Sequence, residues 1–389
     1  MNFSIKKVLP HVAVVFVFVV TALLYFSPVL SGKKMFQSDI QQYRGMAKEQ
    51  MDFREQTGSE PYWTDAAFGG MPTYQLGAKY PNNWIKSLDL SIRFLPRPAD
   101  YLFLYFIGFY ILLLVLKLDW RYAGLGALAF GFSSYLIIIL GVGHNAKAHA
   151  IAYMPLVLSG ILLVFRRKYI WGFVLTALAL ALEIVANHVQ MTYYLMLLIL
   201  ILGIAYLVDA VRKKELPHYF KSVGILCLAV VLAVGTNAAS LMATSEYSAT
   251  STRGKSELTI NPDGTTKERS AGLDKAYINQ YSYGISETLD LFIAGLYGGS
   301  NSEPYKADIV VFLFVLGLFL VKGRLKWWLL GGTLLSLLLS YGSNLAWFTN
   351  LWIDYFPLYN KFRAVTSIQV ITELCVPVLA IFGLYKVLQ

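Results

Sequence analysis

What most constrains this chain is the recurrence, along its whole length, of apolar runs free of charged residues. Many reach the ~18 residues needed to cross the hydrocarbon of a bilayer. A water-soluble core cannot hide so many, and the composition agrees. Hydrophobic residues make up 57% and charged residues 14%, against about 25% charged in an ordinary soluble domain. The expected fold is therefore all-α and polytopic, with about ten membrane-spanning helices. The candidate spans are residues 8–30, 100–117, 122–141, 149–165, 169–187, 191–208, 222–243, 308–321, 327–342 and 366–386. The eighth is short and completes its length with Ala307 and a snorkelling Lys322.

The basic residues orient these spans. With the N-terminus in the cytoplasm, the inner side receives Lys6 and Lys7, then Lys117 and Arg121, then Arg166, Arg167 and Lys168. Next come Arg212, Lys213, Lys214 and Lys221, then Lys322, Arg324 and Lys326, and last Lys386. Every inner loop is basic, as the positive-inside rule requires. The net charge of +10 thus reflects membrane orientation, and no nucleic-acid role is expected. The first span lacks a small-residue cleavage site and reads as an uncleaved anchor. Cys227 and Cys375 both lie inside apolar runs, which argues against a disulfide framework.

The outer side receives residues 31–99, 244–307 and 343–365, with short turns at 142–148 and 187–190. No internal repeat is evident, and residues 1–389 read as one transmembrane domain. A loop as long as 31–99 is usually functional. It opens with Ser38 and Asp39 at the head of a helix-compatible stretch, in which Ile40, Tyr43, Ala47 and Met51 recur at helical spacing. A Gly/Pro turn beside Tyr62 and Trp63 follows over residues 62–72. Trp84, Ile85, Leu88, Ile92 and Leu95 then outline an apolar face, expected to be a short interfacial helix.

Asp39 stands about nine residues beyond the first span, close to the membrane plane. A carboxylate there serves as a general base toward a hydroxyl or helps hold a divalent cation. The competing reading is an acid favoured by a helix N-terminus. His144 and His149 are five apart, off the i, i+4 spacing of a helical zinc pair. Lys147 between them suits a phosphate or lipid headgroup, or an ordinary interfacial lysine. Glu183, Asn187 and Gln190, which share a face at helical spacing, form with His188 a polar corner, functional or structural. Arg363 offers a planar fork suited to phosphate oxygens, or a simple outer anchor. Arg253, Lys255 and Glu246 read as solvated charges. No phosphate loop, dinucleotide fingerprint, nucleophile elbow or HExxH motif occurs.

Four short stretches in order carry a family resemblance: Asp39 with Gln42 and Tyr43 after the first span, the aromatic turn at 63–72, the Leu-Phe-Ile-Ala-Gly-Leu-Tyr-Gly-Gly-Ser run at 291–300, and residues 357–363 before the last span. Together they resemble the bacterial YfhO-like membrane proteins, among the GT-C-type glycosyltransferases, over nearly the whole chain. The resemblance implies GT-C-like architecture in a bacterial cytoplasmic membrane, with the active side outside. It implies transfer of a sugar from a polyprenyl-phosphate-linked donor to a cell-envelope glycan or glycolipid. Asp39 matches the catalytic acid of the first outer loop, with Asp65 in reserve. Arg363, Lys147 or a divalent cation (Mg or Mn) would meet the leaving phosphate, and Trp63, Tyr62 and Tyr74 would stack on sugar or line the lipid groove. His144, His149, His188 and Gln190 are further substrate-binding candidates. Family members are generally longer, so the chain is expected to be a truncated form. The rival expectations are a lipid-linked glycan flippase and a non-catalytic membrane assembly partner.

Overall fold

The computed structural model describes residues 5–255, 260, 263–266, 272–291, 296 and 308–389. It is helical, with one two-residue strand pair. The bundle begins with α1 (Ile5–Tyr25), which the sequence continues into a 3-10 turn at Ser27–Ser31. The first large loop holds α2 (Ser38–Met46), α3 (Lys48–Thr57), the antiparallel pair β1 (Trp63–Thr64) and β2 (Met71–Pro72), and α4 (Trp84–Ile92). Then come α5 (Ala99–Val115), α6 (Trp120–Gly131), α7 (Ser134–Val142), α8 (Asn145–Phe165), α9 (Tyr169–Val185), α10 (Val189–Lys213), α11 (Leu216–Thr236) and α12 (Ala238–Ala249). The rest comprises α13 (Lys275–Ile278), α14 (Asp308–Leu320), α15 (Arg324–Ser340), α16 (Ala346–Tyr355) and α17 (Val370–Val387).

Each of the ten expected spans is met by a helix or a broken pair of helices, of which fewer pass on length and composition alone. Five helices are long and apolar enough: α1, α8, α10, α11 and the segment ending in α17. The bent pairs α6–α7 (48°) and α15–α16 (106°) raise the number to seven among the described residues. The apolar helices α5, α9 and α14 are shorter; 17 residues in α5 and α9 reach about 25 Å at 1.5 Å per residue. The two counts differ because an apolar run ends where hydropathy ends, whereas a helix ends where its caps and bends fall. The break between α6 and α7 sits at Ser133, whose hydroxyl accepts from the Leu136 amide and starts a new helix.

Burial ranks the helices. In α8 and α17, 89% and 83% of the apolar window is buried, against 11% in α1 and 17% in α11. The first two form the centre and the latter two the rim, where apolar exposure suits lipid. Small residues bring α8 and α9 together. A Cβ on Gly160 would stand 2.6 Å from the Thr176 amide nitrogen, and one on Gly172 would stand 2.5 Å from that of Val164. Only glycine permits this approach, as in small-residue helix contacts in membranes.

The helices of this bundle have two chemically different ends. Lys117, Arg166, Arg167, Lys168, Lys213 and Arg324 gather at one, called here the basic end. The first loop and the N-termini of α8, α10 and α17 gather at the other, the loop end. The 21 residues of α8 separate the two by about 30 Å.

Candidate functional site

At the loop end, α2 presents Asp39 in its first turn. The helix is anchored by Gln37, whose side-chain amide donates to the Leu140 carbonyl at 2.6 Å. A Cβ on Gly143 would meet Gln37 at 2.8 Å, and its φ is +96°, so glycine both permits the turn and admits the anchor. The turn ends α7 and delivers His144, whose Nδ1 lies 2.6 Å from Asp39 Oδ2. Both side chains are part-exposed, 44% for His144 and 38% for Asp39. Burial, then the neighbouring Lys147 ammonium, lowers the His144 pKa below the usual imidazole value, and Asp39 offsets this only in part. The neutral ring that results donates from Nδ1 to the carboxylate, a tautomer assigned from the contact, and leaves Nε2 with a lone pair.

The other polar candidates gather beside this pair. Lys147, one turn along α8 from His144, donates to Ser367 Oγ at 3.1 Å and approaches Tyr135 Oη at 3.5 Å. Gln190 donates to Tyr194 Oη at 2.8 Å and to the Arg363 carbonyl at 2.7 Å. His188 feels both Lys147 and His144. Its pKa is pushed down to about 4, first by burial and then by those two groups, and its solvent-shielded Nδ1 has no hydrogen-bond partner. Arg363 turns its guanidinium outward to Tyr277, with Nη1 2.5 Å from Oη and the ring at 5.3 Å. It joins the cluster through its backbone, and the expected phosphate fork points to α13 instead. Glu183, Asn187 and Gln190 do not share one helix face as expected. The helix α9 ends at Val185 and Asn187 takes φ 57°, which breaks the register before α10 begins.

His149 belongs elsewhere. Its Nε2 contacts Asp89 of α4, a residue the sequence reading passed over as one polar position of an interfacial helix. Asp89 is fully buried. Arg93 Nη2 stands 2.9 Å from its Oδ2, and Tyr153 donates to it at 3.1 Å. Arg93 Nη1 reaches Asp100 at 3.2 Å. Burial would raise the Asp89 carboxyl, but His149 and Arg93 prevail and hold it well below the usual carboxylate range. The expected apolar face of α4 is split. Ile85, Ile92 and Leu95 pack on the core, whereas Trp84 is 81% exposed. A polar latch therefore docks α4 onto α5 and α8. One signal was available: Asp89 and Arg93 lie i, i+4 on a helix just before Asp100.

The aromatic turn forms a separate module. Glu49 of α3 accepts from the Thr64 hydroxyl and from the amides of Asp65 (3.2 Å) and Ala66 (3.1 Å). Asp65 accepts from the Trp63 indole at 2.9 Å, so its carboxylate is engaged within its own turn. Tyr62 donates to the Lys79 carbonyl at 3.2 Å. Tyr43 of α2 donates to the Leu76 carbonyl at 3.2 Å and ties this module to the helix that carries Asp39. Arg253, expected to be solvated, donates to the Lys361 carbonyl at 3.0 Å. Within the 291–300 stretch only residues 291 and 296 are described; the rest of that motif lies outside the described residues.

Among the described residues no three His, Cys, Asp or Glu side chains converge as a metal-holding group. Around Asp39 the donors are one carboxylate, one imidazole and an ammonium. That set does not fit magnesium or manganese, which favour oxygen-rich shells, so no step below passes through a metal. No family model matches this chain, and comparisons with characterised proteins and with solved structures gave no match.

Proposed function

We propose that this chain is a membrane glycosyltransferase of GT-C type, taking a sugar from a polyprenyl-phosphate donor on the extracytoplasmic face of a bacterial inner membrane. In this reading about ten helices span, and the loop end faces outward because the opposite end carries the basic loops. The observation that carries the reading is the part-exposed Asp39–His144 pair, with the Lys147 ammonium one turn away on α8.

The chemistry follows from those groups. The hydroxyl of a cell-envelope glycan or glycolipid approaches the pair, and its oxygen forms a bond to the anomeric carbon. The bond from that carbon to the phosphate oxygen breaks, and the lipid phosphate leaves with the electron pair. The hydroxyl proton passes to His144 Nε2 or to Asp39, each being the other's hydrogen-bond partner. Lys147 stabilises the charge on the departing phosphate. The buried acids also favour interfacial chemistry over the flippase alternative. Glu183 lies two residues from the end of α9 and Glu373 in the first turn of α17, so both belong to the loop end. Transporters place such groups near mid-depth.

The test is transfer of radiolabelled sugar from polyprenyl phosphate in membranes holding the full chain. Asp39→Asn and His144→Gln are each expected to lower the rate about 10²-fold or more, and Asp65→Asn to leave it near the starting value. Undiminished transfer in both of the first two variants removes the assignment. Net movement of labelled lipid across proteoliposomes without transfer establishes the flippase, and a stoichiometric partner with neither activity establishes the assembly role.

A further inference from the structure

A cavity of about 920 Å³ opens at the basic end, some 30 Å from Asp39 along α8. Its walls are the last turns of α5, α8 and α10 and the first turns of α11 and α15. Leu114, Val115 and Leu163 make part of it apolar, and Phe165 stacks near Tyr206 and Tyr219, with ring centroids 4.3 and 5.8 Å away. Six cations line it: Lys117, Arg166, Arg167, Lys168, Lys213 and Arg324.

The two carboxylates in the lining are already used. Glu215 takes Arg167 at 2.8 Å, and Asp209 takes both Lys213, at 3.0 Å, and Arg324. Lys117, Arg166 and Lys168 have no carboxylate partner among the described residues. The positive-inside rule explains why these loops are basic. It does not explain why cations from separate loops converge on one cavity. Nor does it explain why Arg166 is half-buried there, where desolvation works against its charge. A guanidinium held in an amphipathic recess with its carboxylates spent lacks an anion.

We infer that this cavity is a binding site for a phosphate-bearing anion, seated between Arg166, Lys168 and Lys117 with its apolar part against Leu114, Val115 and Leu163. Phosphate suits the guanidinium fork and the two ammonium groups. Basic pockets between helices at this level of a membrane protein are where acidic lipid headgroups settle. A soluble phosphate compound shares the chemistry and would enter from water. The inference is independent of the transferase reading, because the site lies at the other end of the bundle and shares no residue with it.

Native mass spectrometry of the full chain in neutral detergent tests it. One arm titrates phosphatidylglycerol, one inorganic pyrophosphate, and one phosphatidylcholine as the control without net charge. One saturable equivalent of phosphatidylglycerol, not displaced by pyrophosphate, identifies a lipid headgroup site. Equal binding or displacement by pyrophosphate identifies a soluble ligand. In either arm Arg166→Gln with Lys168→Gln weakens binding about tenfold or more. Lys117→Gln, at an exposed position that does not threaten folding, weakens it by a smaller factor. Lys6→Gln with Lys7→Gln removes the same charge outside the cavity and leaves binding unchanged. Equal affinity for phosphatidylcholine, or equal weakening by the Lys6 and Lys7 pair, overturns the site, as does wild-type binding in both the Arg166/Lys168 and Lys117 variants.

Discussion

Replacing Arg93 with Met should unlatch α4 from the bundle. Arg93 contacts both Asp89 and Asp100, at 2.9 and 3.2 Å. The three side chains are 2%, 0% and 2% exposed. Met keeps most of the volume and removes the charge, leaving Asp89 with His149 and the part-exposed Lys86 at 3.5 Å, and Asp100 with the exposed Arg97 at 3.6 Å. Stripping one partner from a buried ion pair costs roughly 3–5 kcal/mol when the remaining charge is uncompensated, and with Lys86 and Arg97 still in reach that range is an upper bound. At about 1–2 °C per kcal/mol, scaled from smaller chains to this size, the unfolding temperature should fall by up to about 3–10 °C. Cys375 is fully buried and reports unfolding to a thiol-reactive dye in a Cys227→Ser background. Neutralising the two acids as well, with Asp89→Asn and Asp100→Asn, should recover most of the loss, since networks rebuilt without charge are often as stable. An Arg93→Met protein that melts within a degree of wild type refutes the latch. A triple variant as unstable as the single would show that packing, not charge, was lost.

Other outcomes follow from the same geometry. Asp39→Asn should change the unfolding temperature by no more than the equivalent of about 1 kcal/mol, because its partner contact is part-exposed; a larger loss would make the pair structural. His188 has its folded pKa pushed down to about 4, below the ~6.5 of a free imidazole. The stability gained from its neutral form is complete above about pH 6.5 and is lost as pH falls toward 4. A His188→Gln protein should therefore lose less stability over that window than wild type in pH-stepped thermal melts. Asp89 is held below the usual range, so its contribution is complete above about pH 4 and declines only in more acid solution. Asp89→Asn should lack that acid limb. Gly160→Leu should force α8 and α9 apart and destabilise by about 1–3 kcal/mol or more, read as a lower melting temperature; a neutral result would mean the close approach is dispensable.

The order of the amino acids determined much about this protein. Uncharged runs dictate helices where no water solvates the backbone, and each expected span is helical. Basic loops at alternate connections fixed which helix ends belong together. Asp39, His144, Lys147, His188 and Gln190 were all legible as polar residues crowded at turns between apolar runs, and the structure does bring them to one end. The loop helices at 38 and 84 were legible from periodicity, whereas the first is capped at Gln37 without a side-chain bond rather than by Ser38. Asn83 accepts from the Lys86 amide at 2.9 Å to start the second.

Only the tertiary structure decided who meets whom. Asp89 and His149 are 60 residues apart, and hydropathy cannot tell a carboxylate bound for water from one bound for a buried imidazole. Arg363 read as a phosphate fork or an outer anchor, and its guanidinium stacks on Tyr277 of α13, 86 residues away in sequence. The number of true spans was also left open, since bends such as the 106° break after α15 depend on what the next segment packs against. The cavity at the basic end could not be read from its loops, because each cation is ordinary in its own stretch. Local pattern records what one segment prefers, whereas pairing and enclosure are properties of segments brought together by packing.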